Sequence, residues 1–274
     1  MRVVVFGASG QIGRFLLPRL AADAASVRAI SRHPRDPTAG VTWLRGALPD
    51  SVPALAPTDA LISLGPLDAF AAWLERTPLT GAPRVVATSS MSAASKHDSP
   101  DPAERALAAR LGDAEQRLAA RCEALGAQWT VLRPTLIYGA GMDRSLTPLA
   151  RRAMRWRVFP LPAGSGLRQP VHAEDVAIAV LAAFDRPQSA GQVIPLGGGE
   201  RLTAAAMFAR VRAALPVATL PLPIPRTALR IAARLLPRLR GPLTRLDQDL
   251  IADNAAAERL LGLVPRPFAP RAPD

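Results

Sequence analysis

The sequence predicts an α/β fold, a doubly wound parallel sheet with a smaller, mostly helical C-terminal lobe. Three observations predict it. Short apolar runs alternate with stretches of helical spacing through the first half of the chain, an order that suits a parallel sheet covered by helices on both faces. The first run ends in a glycine-rich turn that opens a helix, "FGASGQIGRFL" at 6–16. The 274 residues are 49% hydrophobic and 20% charged, which suits one compact body with a small second lobe.

Each element follows from its own pattern. "RVVVFG" (2–7) is a short apolar run ended by glycine, and "QIGRFLLPRLAA" (11–22) places Ile12, Phe15, Leu16 and Leu20 at helical spacing. Pro18 is expected to kink that helix or loosen one turn of it. Further strands are expected at "VRAIS" (27–31), "VTWLRG" (41–46), "DALISLG" (59–65), "RVVATSS" (84–90) and "WTVLRP" (129–134). A long helix is expected over 103–125, with Asp101 as cap, Pro102 at its first position and Glu104 completing a capping pattern.

The second half is less regular. "RSLTPLARRAMRWRVFPLPAG" (144–164) reads as a basic helix and a proline-rich loop. "HAEDVAIAVLAAF" (172–184) is a helix with acids in its first turn, where the helix dipole favours them. "GQVIPLGGG" (191–199) gives one more strand, "LTAAAMFARVRAAL" (202–215) a helix, and 224–274 helical pieces cut by proline. The expected division is a nucleotide-binding domain at 1–140, its sheet completed from 168–199, and an interleaved substrate lobe at 141–274.

Composition narrows the function. Apolar runs are broken by Arg or Pro every few residues, so no segment reads as a bilayer span. Met1-Arg2 runs straight into "VVVF" and then glycine, too short for a signal peptide, and a cytoplasmic location is expected. Cys122, the one cysteine, excludes an internal disulfide. His33, His97 and His172 lie far apart without companion ligands, so no metal site is expected. The net charge is +12, and Lys96 is the sole lysine. The arginines are dispersed along the chain, which fits a compositional bias, although attraction to a phosphate-bearing partner would use the same charge.

The loop at 7–13 carries the chemistry. A strand ending in Gly7, a turn through Ser9, and a helix opening near Gly10 leave main-chain N–H groups where a pyrophosphate can sit, with Gln11 and Ile12 beside them. Gly7 permits the tight turn, Gly10 lets the backbone approach the phosphates, and Gly13 lets the helix lie close to the strand. In this strand–turn–helix context the pattern reads as a Rossmann-type dinucleotide site. A carboxylate about twenty residues on would hold the ribose of NAD. Here "ISRHPR" offers Ser31, Arg32 and Arg35, with no acid before Asp36. A guanidinium pairs with a 2′-phosphate that a carboxylate would repel, so NADP is favoured over NAD, with Arg32 foremost and Arg14 as a helper.

The loop, with "LRPTLIYG" (132–139), "RQPVHAEDVA" (168–177) and "VIPLGGGERLT" (193–203), resembles the extended and atypical short-chain dehydrogenase/reductases. Within these it is similar to the NAD-dependent epimerase/dehydratase group, over residues 1–215. The resemblance implies a coenzyme lying along the strand ends and a second lobe closing over a small substrate. It implies that Leu64 and Gly65 pass the coenzyme ribose and that Pro134 and Thr135 lie near the nicotinamide. Ser90 would hydrogen-bond the reacting carbonyl, with Ser89 a one-residue alternative. Arg168 would hold a substrate phosphate, and His172 and Asp175 would orient the local helix and loop. A two-helix homodimer contact would be ordinary for the group. Ala47, in "GALPD" (46–50), departs from the group's Gly-Asp and cannot supply an adenine contact.

A larger departure concerns the acid–base pair, a tyrosine and a lysine four residues later on the helix after the fifth strand. That helix here reads "AERALAARLGDAEQRL", and the natural register puts Leu107 and Leu111 at the two positions. Tyr138, the sole tyrosine, belongs to the sixth-strand exit and reads as packing with a polar tip. Three readings stay open. The favoured one is an NADP-dependent reductase or epimerase-like enzyme whose acid comes from Lys96 or Glu104, with Asp98 another option. The second is a binding or sensing protein that keeps NADP without the chemistry. In the third, a basic stripe of Arg226, Arg230, Arg234 and Arg238 meets RNA or an anionic membrane surface. Aromatics at 4% argue against RNA, where bases stack on exposed rings.

Overall fold

The computed structural model describes residues 1–23, 26–235 and 245–272. Two compact units share the chain: Met1–Pro134 with Ala173–Leu196 and Asp253–Val264, and Thr135–His172 with Gly197–Ala252 and Pro265–Asp274.

In chain order the first run of elements is β1 (Arg2–Phe6), α1 (Gly13–Ala22), β2 (Ser26–Ser31), β3 (Val41–Arg45), β4 (Ala60–Ser63), α2 (Leu67–Arg76), β5 (Arg84–Thr88), α3 (Ser92–Ser95), α4 (Pro102–Ala124) and β6 (Trp129–Pro134). Then come β7 (Ile137–Tyr138), α5 (Leu146–Trp156), β8 (Val158–Pro162), β9 (Leu167–Arg168), β10 (Val171–His172), α6 (Ala173–Asp185) and β11 (Gln192–Leu196). The last are β12 (Leu202–Thr203), α7 (Ala204–Ala213), β13 (Leu220–Ile224), α8 (Arg226–Leu235) and α9 (Ala255–Leu261).

In the first unit seven strands form one parallel sheet in the order β3-β2-β1-β4-β5-β6-β11. The order reverses between β1 and β4, the crevice where doubly wound sheets bind their ligands. Val3 to Phe6 and Ala60 to Ser63 are all buried, because strands covered on both faces need continuous apolar runs. Phe6, Phe70 and Trp73 form an aromatic cluster with ring centroids 4.7–5.6 Å apart, clamping α2 to the sheet. Cys122 is buried on α4, and desolvation pushes its thiol up to about 12. Pro18 sits on the exposed side of α1, which continues to Ala22.

Glu104 corrects the expected capping pattern. Asp101 does cap α4, accepting from the Ala103 N–H at 2.9 Å, but the Asp101 N–H goes to Ser99 Oγ. Glu104 instead accepts from Ser99 Oγ at 2.7 Å and meets Lys96.

The second unit contains three two-stranded ribbons: β7 with β10, β9 with β12, and β8 with β13. The proline-rich stretch expected as a loop is β8, and "LPLPI" is its parallel partner β13. Only alternate N–H groups of a two-stranded ribbon face the partner, so prolines two apart fit on the unpaired side. Helices α5 and α7 enclose a core of Tyr138, Leu146, Ala150, Phe159, Met207 and Phe268. Of the expected basic stripe, Arg226 pairs with Asp247 at 3.2 Å and Ser165 at 2.7 Å. The side chains of Arg230 and Arg234, and all of Arg238, lie outside the described residues.

Candidate functional site

The turn after β1 is built from close backbone approaches. Gly7 has φ +71°, and a Cβ there would lie 2.8 Å from the main chain of Leu64 and Gly65. This is the contact that brings the ends of β1 and β4 together, and only glycine makes it without strain. A Cβ on Gly13 would sit inside the Ala8 carbonyl, so α1 can lie on the loop only without a side chain there. A Cβ on Gly10 would be 3.2 Å from the Gly7 carbonyl.

Helix α1 opens at Gly13, three residues later than expected, because Ala8 to Ile12 form tight turns closed by Gly10 N–H to Gly7 O at 3.0 Å. The amides of Gln11, Ile12 and Gly13 meet no acceptor among the described residues. Gln11 Oε1 is buried and likewise without a partner. Free donors at a helix start fit a pyrophosphate-bearing ligand, whereas the Gln11 amide oxygen, an acceptor, can only receive a hydrogen bond from a ligand's hydroxyl or N–H.

At the end of β2, Ser31 is buried and its hydroxyl is fully engaged. It donates to the His33 carbonyl at 2.8 Å and accepts from Arg35 Nε at 3.2 Å. Arg35 is thereby tethered to the strand end, while Arg32 is exposed. The Ala47 and Ser51 backbones exchange hydrogen bonds at 2.9–3.0 Å and close the turn after β3.

The end of β5 carries a second group. Met91 N–H donates to the Pro134 carbonyl at 3.0 Å, and Ser89 N–H to the Leu132 carbonyl at 2.7 Å, so β5 and β6 end together. Ser90 Oγ accepts from the Ser92 N–H at 3.1 Å. Ser89 Oγ donates to Glu115 at 2.5 Å, and Arg133 binds the same carboxylate through Nε and Nη2. This Ser89–Glu115–Arg133 network, built around the buried Glu115, is not legible in the sequence. Its members are far apart in the chain, and the one local signal is that Glu115 lies four residues beyond Leu111 on α4.

Lys96 and Glu104 are both buried, and Lys96 Nζ lies 3.7 Å from Glu104 Oε1. Leu107 and Leu111, the residues that the sequence register puts at the dyad positions, are both half-buried on α4. Glu104 stands three residues before Leu107, about 4.5 Å along the helix axis. His97 and Asp98 are exposed and paired at 2.9 Å. Within the same unit Arg19 pairs with Glu174, one residue before the buried Asp175.

In the second unit Arg168 is buried and donates to the carbonyls of Leu167, Gln248 and Arg245 at 2.5–2.8 Å. Burial, and then the nearby Arg245, hold its guanidinium below its usual range. Three of its five donors are therefore spent on the chain. Thr135 Oγ1 donates to the Gln169 carbonyl. Tyr138 donates to the Pro267 carbonyl at 3.3 Å and accepts from the Ala269 N–H at 3.1 Å. His172 packs edge-on against the Tyr138 ring, in space that any side chain at Gly139 would enter. Among the described residues no group of three or more His, Cys, Asp or Glu could hold a metal ion, and no helix is long and apolar enough to cross a membrane.

Residues 7–187, which hold the glycine turn, the β1/β4 crevice and the end of β5, match the NAD(P)H-binding family. This chain belongs to that family. The NAD(P)H-binding match agrees with a curated relative, the UDP-glucose 4-epimerase of Vibrio cholerae, 26% identical over 156 residues. The match takes in 56% of this chain and 47% of the relative, so the chain spans about half the length of that protein. Among solved structures, MoeE5 in complex with UDP-glucuronic acid and NAD superposes with a TM-score of 0.73 at 18% identity, covering 98% of this chain and 95% of that one. The UDP-glucose 4-epimerase of Thermotoga maritima with UDP-glucose gives 0.69 at 16% identity, covering 97% and 94%. The UDP-glucuronic acid 4-epimerase of Bacillus cereus with NAD gives 0.69 at 14%, covering 98% and 94%. These likenesses establish the fold of this NAD(P)H-binding protein as that of the epimerase/dehydratase group.

Proposed function

We propose that the chain binds NADP(H) and reduces or epimerises a small carbonyl substrate, a nucleotide-linked sugar by class, with Lys96 supplying the proton that a tyrosine supplies elsewhere in the group. The observation that carries this is the buried Lys96–Glu104 pair, set one helical turn before Leu107 on α4. A buried ion pair costs desolvation and is weak support for stability alone, so its presence beside an otherwise apolar dyad position favours a chemical role.

The coenzyme, when bound, supplies the hydride. The amides of Gln11, Ile12 and Gly13 would hold its pyrophosphate, and Gly65 would pass its ribose. Arg35, held by Ser31, and Arg32 would take the 2′-phosphate, which favours NADP over NAD. Ser90 Oγ would orient the carbonyl oxygen, and Lys96 would give it a proton while Glu104 holds the ammonium in place. Arg168, with two donors not spent on carbonyls among the described residues, would hold a substrate anion. The test is NADPH absorbance with a panel of nucleotide-linked keto-sugars. Oxidation by wild type that is lost in Lys96→Met, with NADPH still binding, supports the reading.

A second reading, a coenzyme-dependent binding or sensing protein, draws on the apolar Leu107 and Leu111 and on the engagement of Arg168. Micromolar NADPH binding without oxidation by any member of the panel would favour it.

A further inference from the structure

Sorted by unit, the charges are unevenly shared. The first unit holds seventeen basic and seventeen acidic residues, the second seventeen basic and five acidic, so the whole net charge of +12 belongs to the second unit. Two long stretches of that unit, 144–172 and 201–246, contain no Asp or Glu at all. The nearest acid to the first stretch, Asp143, is buried and accepts from the N–H groups of Ser145, Leu146 and Thr147 at the start of α5.

Helix α5 has two unlike faces. Leu146, Ala150 and Ala153 point into the core, while Arg151, Arg152, Arg155 and Trp156 are exposed. Trp156 follows Arg152 by one turn and is 67% exposed, an unusual place for so large an apolar ring. Arg157, left-handed and exposed, ends the helix, and its carbonyl accepts from Leu220 N–H at 2.7 Å. That bond brings β13 alongside, with Leu220 and Leu222 exposed at 67% and 50%. On α8 of the same unit, Ile231 and Leu235 are exposed one turn apart.

We propose that the second unit docks on the surface of an anionic lipid bilayer, with Trp156, Leu220 and Leu222 entering the headgroup region and the arginines of α5 pairing with lipid phosphates. An interfacial tryptophan beside exposed leucines and a ring of arginines is the composition of a segment that lies in a membrane surface. Charge complementarity selects the occupant. An excess of +12 would repel a second copy of the same unit, whereas each arginine near an anionic leaflet gains attraction. Nucleic acid would answer the charge but leave the leucines without a partner.

The test is co-sedimentation of the full chain with vesicles of phosphatidylcholine alone and of phosphatidylcholine mixed with phosphatidylglycerol. Binding to the anionic vesicles, weakening as salt rises, is expected. Arg152→Glu with Arg155→Glu is expected to lower the partition constant by at least about tenfold, and Trp156→Ala by roughly several-fold. NADPH affinity, measured in parallel, is expected to be unchanged in all variants, which shows that they fold and keeps this result separate from the catalytic reading. No binding to anionic vesicles, equal binding to neutral ones, or binding indifferent to these substitutions overturns the proposal. So does a salt-sensitive shift of RNA by a protein that leaves anionic vesicles unbound.

Discussion

Lys96 and Glu104 face one another as a buried ion pair, Nζ to Oε1 at 3.7 Å, and a hydrogen bond from Ser99 Oγ to Oε2 fixes the carboxylate. Neither residue is placed there by helix capping, which Asp101 performs alone. The pair therefore has a position that the secondary structure does not require.

Lys96→Met is expected to lower turnover about a hundredfold or more, in line with loss of a general acid, with NADPH affinity within about threefold of wild type. Removing one member strands a buried charge, which costs about 3–5 kcal/mol in such pairs. Lys96→Met with Glu104→Gln removes that penalty, so a double variant that regains thermal stability but not turnover separates chemistry from folding. Recovery of both would mean that the pair acts only through stability.

Arg35→Ala is expected to weaken NADPH binding about tenfold or more and leave NADH binding nearly unchanged, since a charge-assisted hydrogen bond contributes about 1.5–3 kcal/mol. Calorimetric titration with both coenzymes reads the difference. Equal losses for the two would place Arg35 away from the 2′-phosphate.

Gly13→Ala drives a methyl group into the Ala8 carbonyl and is expected to cost about 3 kcal/mol, roughly 6–12 °C in Tm. Gly10→Ala meets the Gly7 carbonyl at 3.2 Å, where a small shift suffices, so its expected effect falls on coenzyme affinity rather than on Tm. Thermal melts with and without NADPH distinguish the two.

Asp59 is held at about 2, first by its hydrogen bond from the Arg2 side chain and then by the Arg2 backbone N–H, against an ordinary value of 3.8. A depressed carboxylate lends stability that is complete above its unfolded pKa and is lost as pH falls through its folded one. The contribution is thus expected in full at neutral pH and to fade between about pH 4 and pH 2. Both side chains are solvated, so it is expected to be small and to shrink with salt. Denaturant titrations of Asp59→Asn and wild type across that range check it; curves that stay parallel throughout would deny the linkage.

The sheet was legible because its strands lie between helices, and continuous runs such as "VVVF" and "ALIS" are what burial on both faces demands. Helix α2 is not among the elements expected from the sequence, although Phe70, Ala71 and Leu74 mark its buried side. The ribbon of β8 and β13 was hidden by its prolines, which signal a loop unless a partner strand is known. In the candidate site, the glycines could be read because each meets a local backbone constraint. The tether from Ser31 to Arg35, and the Ser89–Glu115–Arg133 network, depend on side-chain directions or on pairs far apart in sequence. The charge asymmetry was masked for a related reason. Arginines look evenly spread along a chain that passes back and forth between a neutral unit and a basic one.

That repeated passage has a consequence for biosynthesis. The outermost strand β11 is delivered only by residues 192–196, and the unit's last segment, Asp253–Val264, follows later still. A chain emerging from the ribosome cannot finish its coenzyme-binding unit until residue 264 has been translated. Until β11 arrives, β6 presents an open, apolar edge, the kind of surface that invites mispairing.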